Sequence, residues 1–297
     1  MLTRIITAVV ALCVLVPVLI FAPGWVVVCV WGLLGAVAVY EFFSCVGLKK
    51  EVWLLIVTMA CAAVYISGHC VIWRYGSAEQ LDGLYRIWVN LPSYALWGCL
   101  LAFMFAAVAR FKALPVDRLV MLLGLCLYAF FGFYALGSLS SMGDVRSLDS
   151  RSWIYYDTSF HLWIALCIPW VADSLAYFSG YFFGKRKLCP VISPKKTVEG
   201  AIGGVAGTGV VAVLVYGFAV SWEIVPLLVV FFGAMILAVV SIYGDLFASV
   251  VKRHFGVKDY GKLFPGHGGI MDRFDSTIPV AITLQMLLSI PYFAELL

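Results

Sequence analysis

Charge is what this sequence has least of. Charged residues make up 12% of its 297 positions, about half of the ~25% that keeps an ordinary globular domain in water, so a conventional soluble fold is excluded. Paired cysteines are missing too. Nine cysteines are present, but no CxxC pair and no Cys/His cluster, which argues against a disulfide framework or a zinc site and leaves them as small apolar filler. The chain also lacks heptads, low-complexity tracts, a convincing internal repeat, a Ser/His/Asp set and a Walker A pattern. No nucleic-acid partner is expected.

What is there is apolar. Hydrophobic residues reach 64% and the mean hydropathy is +1.03. Runs of about 18 or more apolar residues recur, each long enough for a bilayer core of about 30 Å. The fold class is therefore an all-α polytopic membrane protein. About nine transmembrane helices are expected, over 5–22, 25–43, 52–73, 93–110, 119–139, 160–181, 201–220, 224–245 and 277–294. The first run ends in "FAPGW" without a small-x-small cleavage pattern and is read as a retained span. With the N-terminus and the even-numbered loops on one side, only Arg74, Arg86, Arg146 and Arg151 of the 20 Lys and Arg fall on the other. The positive-inside rule then makes the N-terminus cytoplasmic.

Residues 1–160 read as N-terminal transmembrane helices, a scaffold with lipid-facing and oligomer-forming surfaces. Residues 161–297 read as the catalytic region, because two polar blocks, 173–199 and 245–275, hold 7 and 9 charged residues.

In the first block, Asp173 lies well inside an apolar span. A carboxylate there is costly unless it is paired, ligates a cation or lines a watery cavity. It is either a functional acid or an interhelical hydrogen-bonding group beside the Gly180 and Gly184 packing stripe. The span runs into Lys185-Arg186-Lys187, whose charges serve topology or anionic lipid. "SPKKTVEG" follows, where Ser193 is expected to cap a helix opened by Pro194, with Lys195, Lys196 and Thr197 at a phosphate-binding N-terminus. Beyond it, Gly200, Gly203, Gly204 and Gly207 share one face and permit close helix approach.

In the second block, Asp245, Ser249, Lys252 and Arg253 share one face of a helix expected to outlast the membrane and stop near Gly256. The glycine-rich loop beyond it carries Lys258, Lys262, His267, Gly268 and Gly269, then Asp272, Arg273 and Asp275. Oxygen ligands without cysteine suit Mg²⁺, and several cations beside glycine backbone suit polyphosphate. The residues alone thus indicate phosphoryl or nucleotidyl transfer at the cytoplasmic face. His267 is open to three readings: general base, phosphate donor or turn residue.

The run Ser249-x2-Lys252-Arg253-x4-Lys258-Asp259-x-Gly261-x3-Pro265-x-His267-Gly268-Gly269-x2-Asp272-Arg273-x-Asp275 resembles the signature of the phosphatidate cytidylyltransferases (CDP-diacylglycerol synthases). "SPKKTVEG" and Asp173 are similar to the family as well. The resemblance implies a nucleotidyltransferase of phospholipid biosynthesis, with CTP, phosphatidate and Mg²⁺ as partners, possession of a second cation left open. In it, Asp245, Asp272, Lys252, Arg253, Lys258, Arg273 and His267 are the catalytic set. Asp245 and Asp272 are assigned to the metal, and Asp173 to a second cation or to orienting neighbours. Ser193, Lys195, Lys196, Thr197, Ser249, Gly268 and Gly269 are assigned to substrate. Asp275 is expected to fix Arg273 or a lysine. A homodimer in a bacterial inner membrane, with its site facing the cytoplasm, completes the expectation. The rivals are another CTP-dependent lipid enzyme acting on a prenol or ether lipid, an ion-coupled transporter using Asp173 and Asp245, and a structural membrane subunit.

Overall fold

The computed structural model describes residues 2–22, 24–75, 83–141, 160–264, 266 and 268–290. Five long helices come first: α1 (Leu2–Phe21), α2 (Gly24–Val46), α3 (Val52–Tyr75), α4 (Gly83–Ala109) and α5 (Val116–Ser141). They are followed by α6 (Phe160–Phe183), a hairpin of β1 (Lys187–Cys189) and β2 (Ser193–Thr197), α7 (Val198–Ala219), α8 (Ile224–His254), the short α9 (Met271–Phe274) and α10 (Thr277–Leu288). The protein is an all-α polytopic membrane protein. The first eight expected segments fall on helices and the ninth on α10 as far as Leu288, its residues 291–294 lying outside the described residues; six described helices are long and apolar enough to cross a membrane.

The chain divides into two units. The first takes residues 1–160 and 257–273, the second 161–256 and 274–297. The glycine-rich loop therefore belongs with the N-terminal helices, which a single cut at residue 160 does not convey.

In the first unit α2, α3 and α5 pack mutually, with α4 against α3. Their contact faces are apolar and large: Trp31, Phe42, Phe43, Phe130 and Phe133 are fully buried. Such aromatic interlocking supplies the dispersion contacts that hold helices together where lipid removes the hydrophobic drive. At one end Arg110 of the α4–α5 turn pairs with Glu51 of the α2–α3 turn at 3.0 Å.

In the second unit the glycine stripe of α7 meets α6. A Cβ built on Gly204 would lie 2.9 Å from the Ala172 carbonyl oxygen and 2.8 Å from the Ala176 Cβ. Only glycine lets the two backbones approach so closely. Gly204→Ala is expected to force the helices apart and lower stability by about 1–3 kcal/mol, read as a lower midpoint of thermal unfolding in detergent.

The helix expected to start after Ser193 starts four residues later. Ser193–Thr197 is a strand, paired antiparallel with Lys187–Cys189. Thr197 is the cap of α7, and its Oγ1 accepts the Gly200 N–H at 3.1 Å. The helix dipole explains the choice. Lys195 and Lys196 in a first turn would oppose the positive end of the macrodipole, whereas starting at Val198 puts Glu199 there. The Glu199 carboxylate also accepts the N–H groups of Lys185 and Arg186 at 3.0 and 3.1 Å, closing the turn from α6 into the hairpin.

Helix α8 runs for 31 residues, about 46 Å at 1.5 Å per residue, and so outlasts a bilayer core of about 30 Å. It ends as expected just before Gly256, whose φ of +67° lies in the left-handed region.

Candidate active site

Each unit carries its own polar cluster. The cluster of the second unit is built by close packing. Gly180 and Gly184 of α6 leave room for Thr197, which a Cβ on Gly180 would meet at 2.7 Å. The end of β2 can therefore lie against α6, and Lys196 reaches inward between α6 and α8. Its Nζ stands 2.6 Å from Asp245 Oδ2. The contact is close but poorly aligned for a hydrogen bond, so charge attraction rather than directed donation holds it, and the ammonium itself is enclosed. Asp173 feels both the Lys196 and the Asp245 charges. Asp173 and Lys196 of the first polar block and Asp245 of the second are thus near enough for their charges to act on one another. One turn before Asp245, Ser241 is fully buried and its hydroxyl has no hydrogen-bond partner among the described residues.

Farther along α8, Lys252 stands 3.9 Å from Asp275 Oδ2. Gly244 makes this possible, because a Cβ there would meet the Asp275 carbonyl oxygen at 2.7 Å and hold α10 away from α8. Asp275 also accepts its neighbour Ser276's N–H at 2.8 Å. Of the cations expected near Asp275, Arg273 or a lysine, Lys252 stands within ion-pair distance. Ser249 is half-buried and Arg253 exposed. On the hairpin, Ser193 is half-buried and Lys195 exposed.

The cluster of the first unit is the loop 257–273. Asp272 is buried, and its Oδ2 accepts two backbone N–H groups, from Tyr260 at 2.8 Å and Gly269 at 3.0 Å. Gly269 was expected to offer its N–H to phosphate; here that N–H is given to Asp272. A turn closed by Phe264 N–H on the Gly268 carbonyl (2.9 Å) brings the ends of the glycine run together, with Gly268 at φ +83°. Lys258 and Arg273 are exposed. His267 lies outside the described residues.

One residue here has no counterpart in the expectations drawn above. Glu41, near the end of α2, is 2% exposed, and its two carboxylate oxygens accept the N–H groups of Ile270 and Met271, both at 2.8 Å. The signal was available. Glu41 is a lone acid inside an apolar span, the same anomaly that singled out Asp173.

Among the described residues, no group of three or more His, Cys, Asp or Glu side chains is arranged to hold a metal ion. The donor set is hard oxygen from separate carboxylates, which fits Mg²⁺, an ion held through one or two carboxylates with water and substrate phosphate as the other ligands.

Each unit thus gathers polar groups that lie far apart in sequence, a lysine with acids in the second and two acids with backbone amides in the first. The profile of the cytidylyltransferase family fits residues 2–291, and the chain belongs to that family. Curated relatives include the phosphatidate cytidylyltransferase of Staphylococcus haemolyticus, 44% identical over 133 residues, covering 44% of this chain and 50% of the relative. That of Bacillus subtilis is 41% identical over 147 residues, covering 50% and 52%. That of Thermotoga maritima is 41% identical over 123 residues, covering 40% and 45%. The chain thus spans about half the length of the curated relatives it matches.

Proposed function

We propose that the protein is a phosphatidate cytidylyltransferase, forming CDP-diacylglycerol and pyrophosphate from CTP and phosphatidate. The observation that carries this reading is the Asp173–Lys196–Asp245 cluster on and beside α8, a helix that outlasts a bilayer. It sets charge of both signs, exposed at Asp173 and half-buried at Lys196 and Asp245, where a lipid phosphate and a water-soluble nucleotide can meet. A transporter would use the two acids but leaves the lysine-rich hairpin and the glycine loop without a purpose.

In this reaction a phosphate oxygen of phosphatidate attacks the α-phosphorus of CTP. The bond from that phosphorus to the bridging oxygen breaks, and pyrophosphate departs with the electron pair. The nucleophile is already an anion, so no general base is needed and His267 carries no assigned proton transfer. The protein's task is to hold two polyanions together and offset their repulsion. We assign Lys195, Lys196, Lys252 and Arg253 of the second unit, and Lys258 and Arg273 of the first, to the phosphates, with Ser193, Thr197, Ser249, Gly268 and Gly269 lining the substrate. We assign Mg²⁺ to Asp245 and Asp173 in the second unit and to Asp272 in the first. When bound, Mg²⁺ neutralises charge building on the phosphate oxygens. The positive-inside distribution and the bacterial relatives support a bacterial inner membrane with the site facing the cytoplasm, and the expected homodimer belongs to the same proposal.

The test is incorporation of radiolabelled CTP into lipid by purified protein. Label is expected in a chloroform-soluble product only when phosphatidate and Mg²⁺ are both present. Equal labelling of a prenol or ether lipid in place of phosphatidate would transfer the activity to a rival lipid substrate. Absence of any CTP turnover would sink the reading.

A further inference from the structure

We propose that Glu41 is a positioning residue for the 257–273 loop, holding the backbone that carries Asp272. Its carboxylate is a two-pronged acceptor, one oxygen for the Ile270 N–H and the other for the Met271 N–H, each at 2.8 Å. Asp272 follows directly in sequence and receives Tyr260 and Gly269 N–H groups on its own Oδ2. Two carboxylates thus take up four consecutive or facing amides of one loop. The adjacent residue on α2, Phe42, lies edge-on against the Tyr260 ring with centroids 5.3 Å apart. Helix α2 therefore grips the loop at both ends: Tyr260 through Phe42, and 270–271 through Glu41.

The glycines mark the same contact. A Cβ on either Gly261 or Gly269 would run into the Glu41 carboxylate. The loop's composition is thus explained in part by the Glu41 side chain, since glycine is what lets backbone close around it. A buried carboxyl group needs its oxygens met by hydrogen bonds, and a buried amide left without an acceptor is costly. Each satisfies the other, which makes the arrangement specific to a carboxylate at 41.

Glutamine has the same shape but offers one oxygen and one NH₂ to two N–H donors. A donor then faces a donor, and one amide of the pair is released. The experiment compares wild type with Glu41→Gln and Glu41→Asp in two readouts. The first is peptide-level amide hydrogen exchange. Exchange over 268–272 is expected to rise about tenfold in Glu41→Gln, with peptides of α3 and α5 unchanged, and to rise less in Glu41→Asp, which keeps both oxygens but withdraws them by one methylene. The second rests on the proposed assignment of Asp272 to Mg²⁺. The Mg²⁺ half-saturation of CDP-diacylglycerol formation is expected to rise about tenfold, so that excess Mg²⁺ recovers activity. Loss of folded protein alone would lower the amount of active enzyme without moving that midpoint. Unchanged exchange over 268–272, or a rise spread through the whole unit with an unmoved Mg²⁺ midpoint, would overturn the inference. If exchange rises locally while wild type fails to turn over CTP, the inference stands and the proposed function fails.

Discussion

Asp245→Asn is expected to lower CDP-diacylglycerol formation by at least about a hundredfold, the scale of losing one preorganised charged group at a phosphoryl centre. Two consequences of the substitution must be separated. The first is chemical: a carboxylate assigned to Mg²⁺ becomes a neutral amide, a much poorer ligand for a hard cation. The second is structural: Lys196, whose Nζ is enclosed 2.6 Å from Asp245, loses its anion. Breaking a buried pair costs about 3–5 kcal/mol, but both side chains here are about a quarter exposed, so the cost should be smaller. Asp173 also remains beside the lysine. The double variant Asp245→Asn/Lys196→Gln removes both charges together. Its thermal midpoint should lie above that of Asp245→Asn alone, because no ammonium is left uncompensated, while its activity stays at the floor. Recovery of activity in the double variant would show that the pair only supports the fold. Activity of Asp245→Asn within threefold of wild type, ~0.6 kcal/mol in the barrier, would remove Asp245 from the site.

Much of this arrangement was legible in sequence because it follows from local periodicity. The reach of α8 and its stop before Gly256 and the glycine face of α7 each depend on spacing along one helix. The hairpin was missed for a reason that is also local. Ser193 and Thr197 are both good caps, and only the dipole penalty on Lys195 and Lys196 decides between them. Glu41 was missed for a different reason. Its partners are the backbone amides of Ile270 and Met271, and an amide leaves no mark on the identity of the residue that carries it. A side-chain ion pair advertises both ends in the sequence. A carboxylate that binds main chain advertises one, and that one was a single letter in an apolar helix.

Asp272→Asn is expected to abolish at least about 99% of activity while leaving the loop folded, and the hydrogen bonds make it an unusually clean substitution. Oδ2 of Asp272 accepts both the Tyr260 and the Gly269 N–H group. An asparagine can turn its single side-chain oxygen to that position and accept both, since a carbonyl oxygen has two lone pairs. What it cannot supply is the negative charge. The variant should therefore keep wild-type amide exchange over 260–272 and nearly wild-type thermal stability. Its residual activity should need Mg²⁺ well above the wild-type range, because an amide oxygen binds a hard cation more weakly than a carboxylate. Asp272→Ala provides the contrast: it removes acceptor and charge together, leaves two buried N–H groups unmet at about 1–3 kcal/mol each, and should loosen the loop as well as silence the enzyme. If Asp272→Asn retained near wild-type turnover with an unmoved Mg²⁺ midpoint, Asp272 would be a loop-fastening acid like Glu41, and Mg²⁺ would have to be assigned to the carboxylates of the second unit alone.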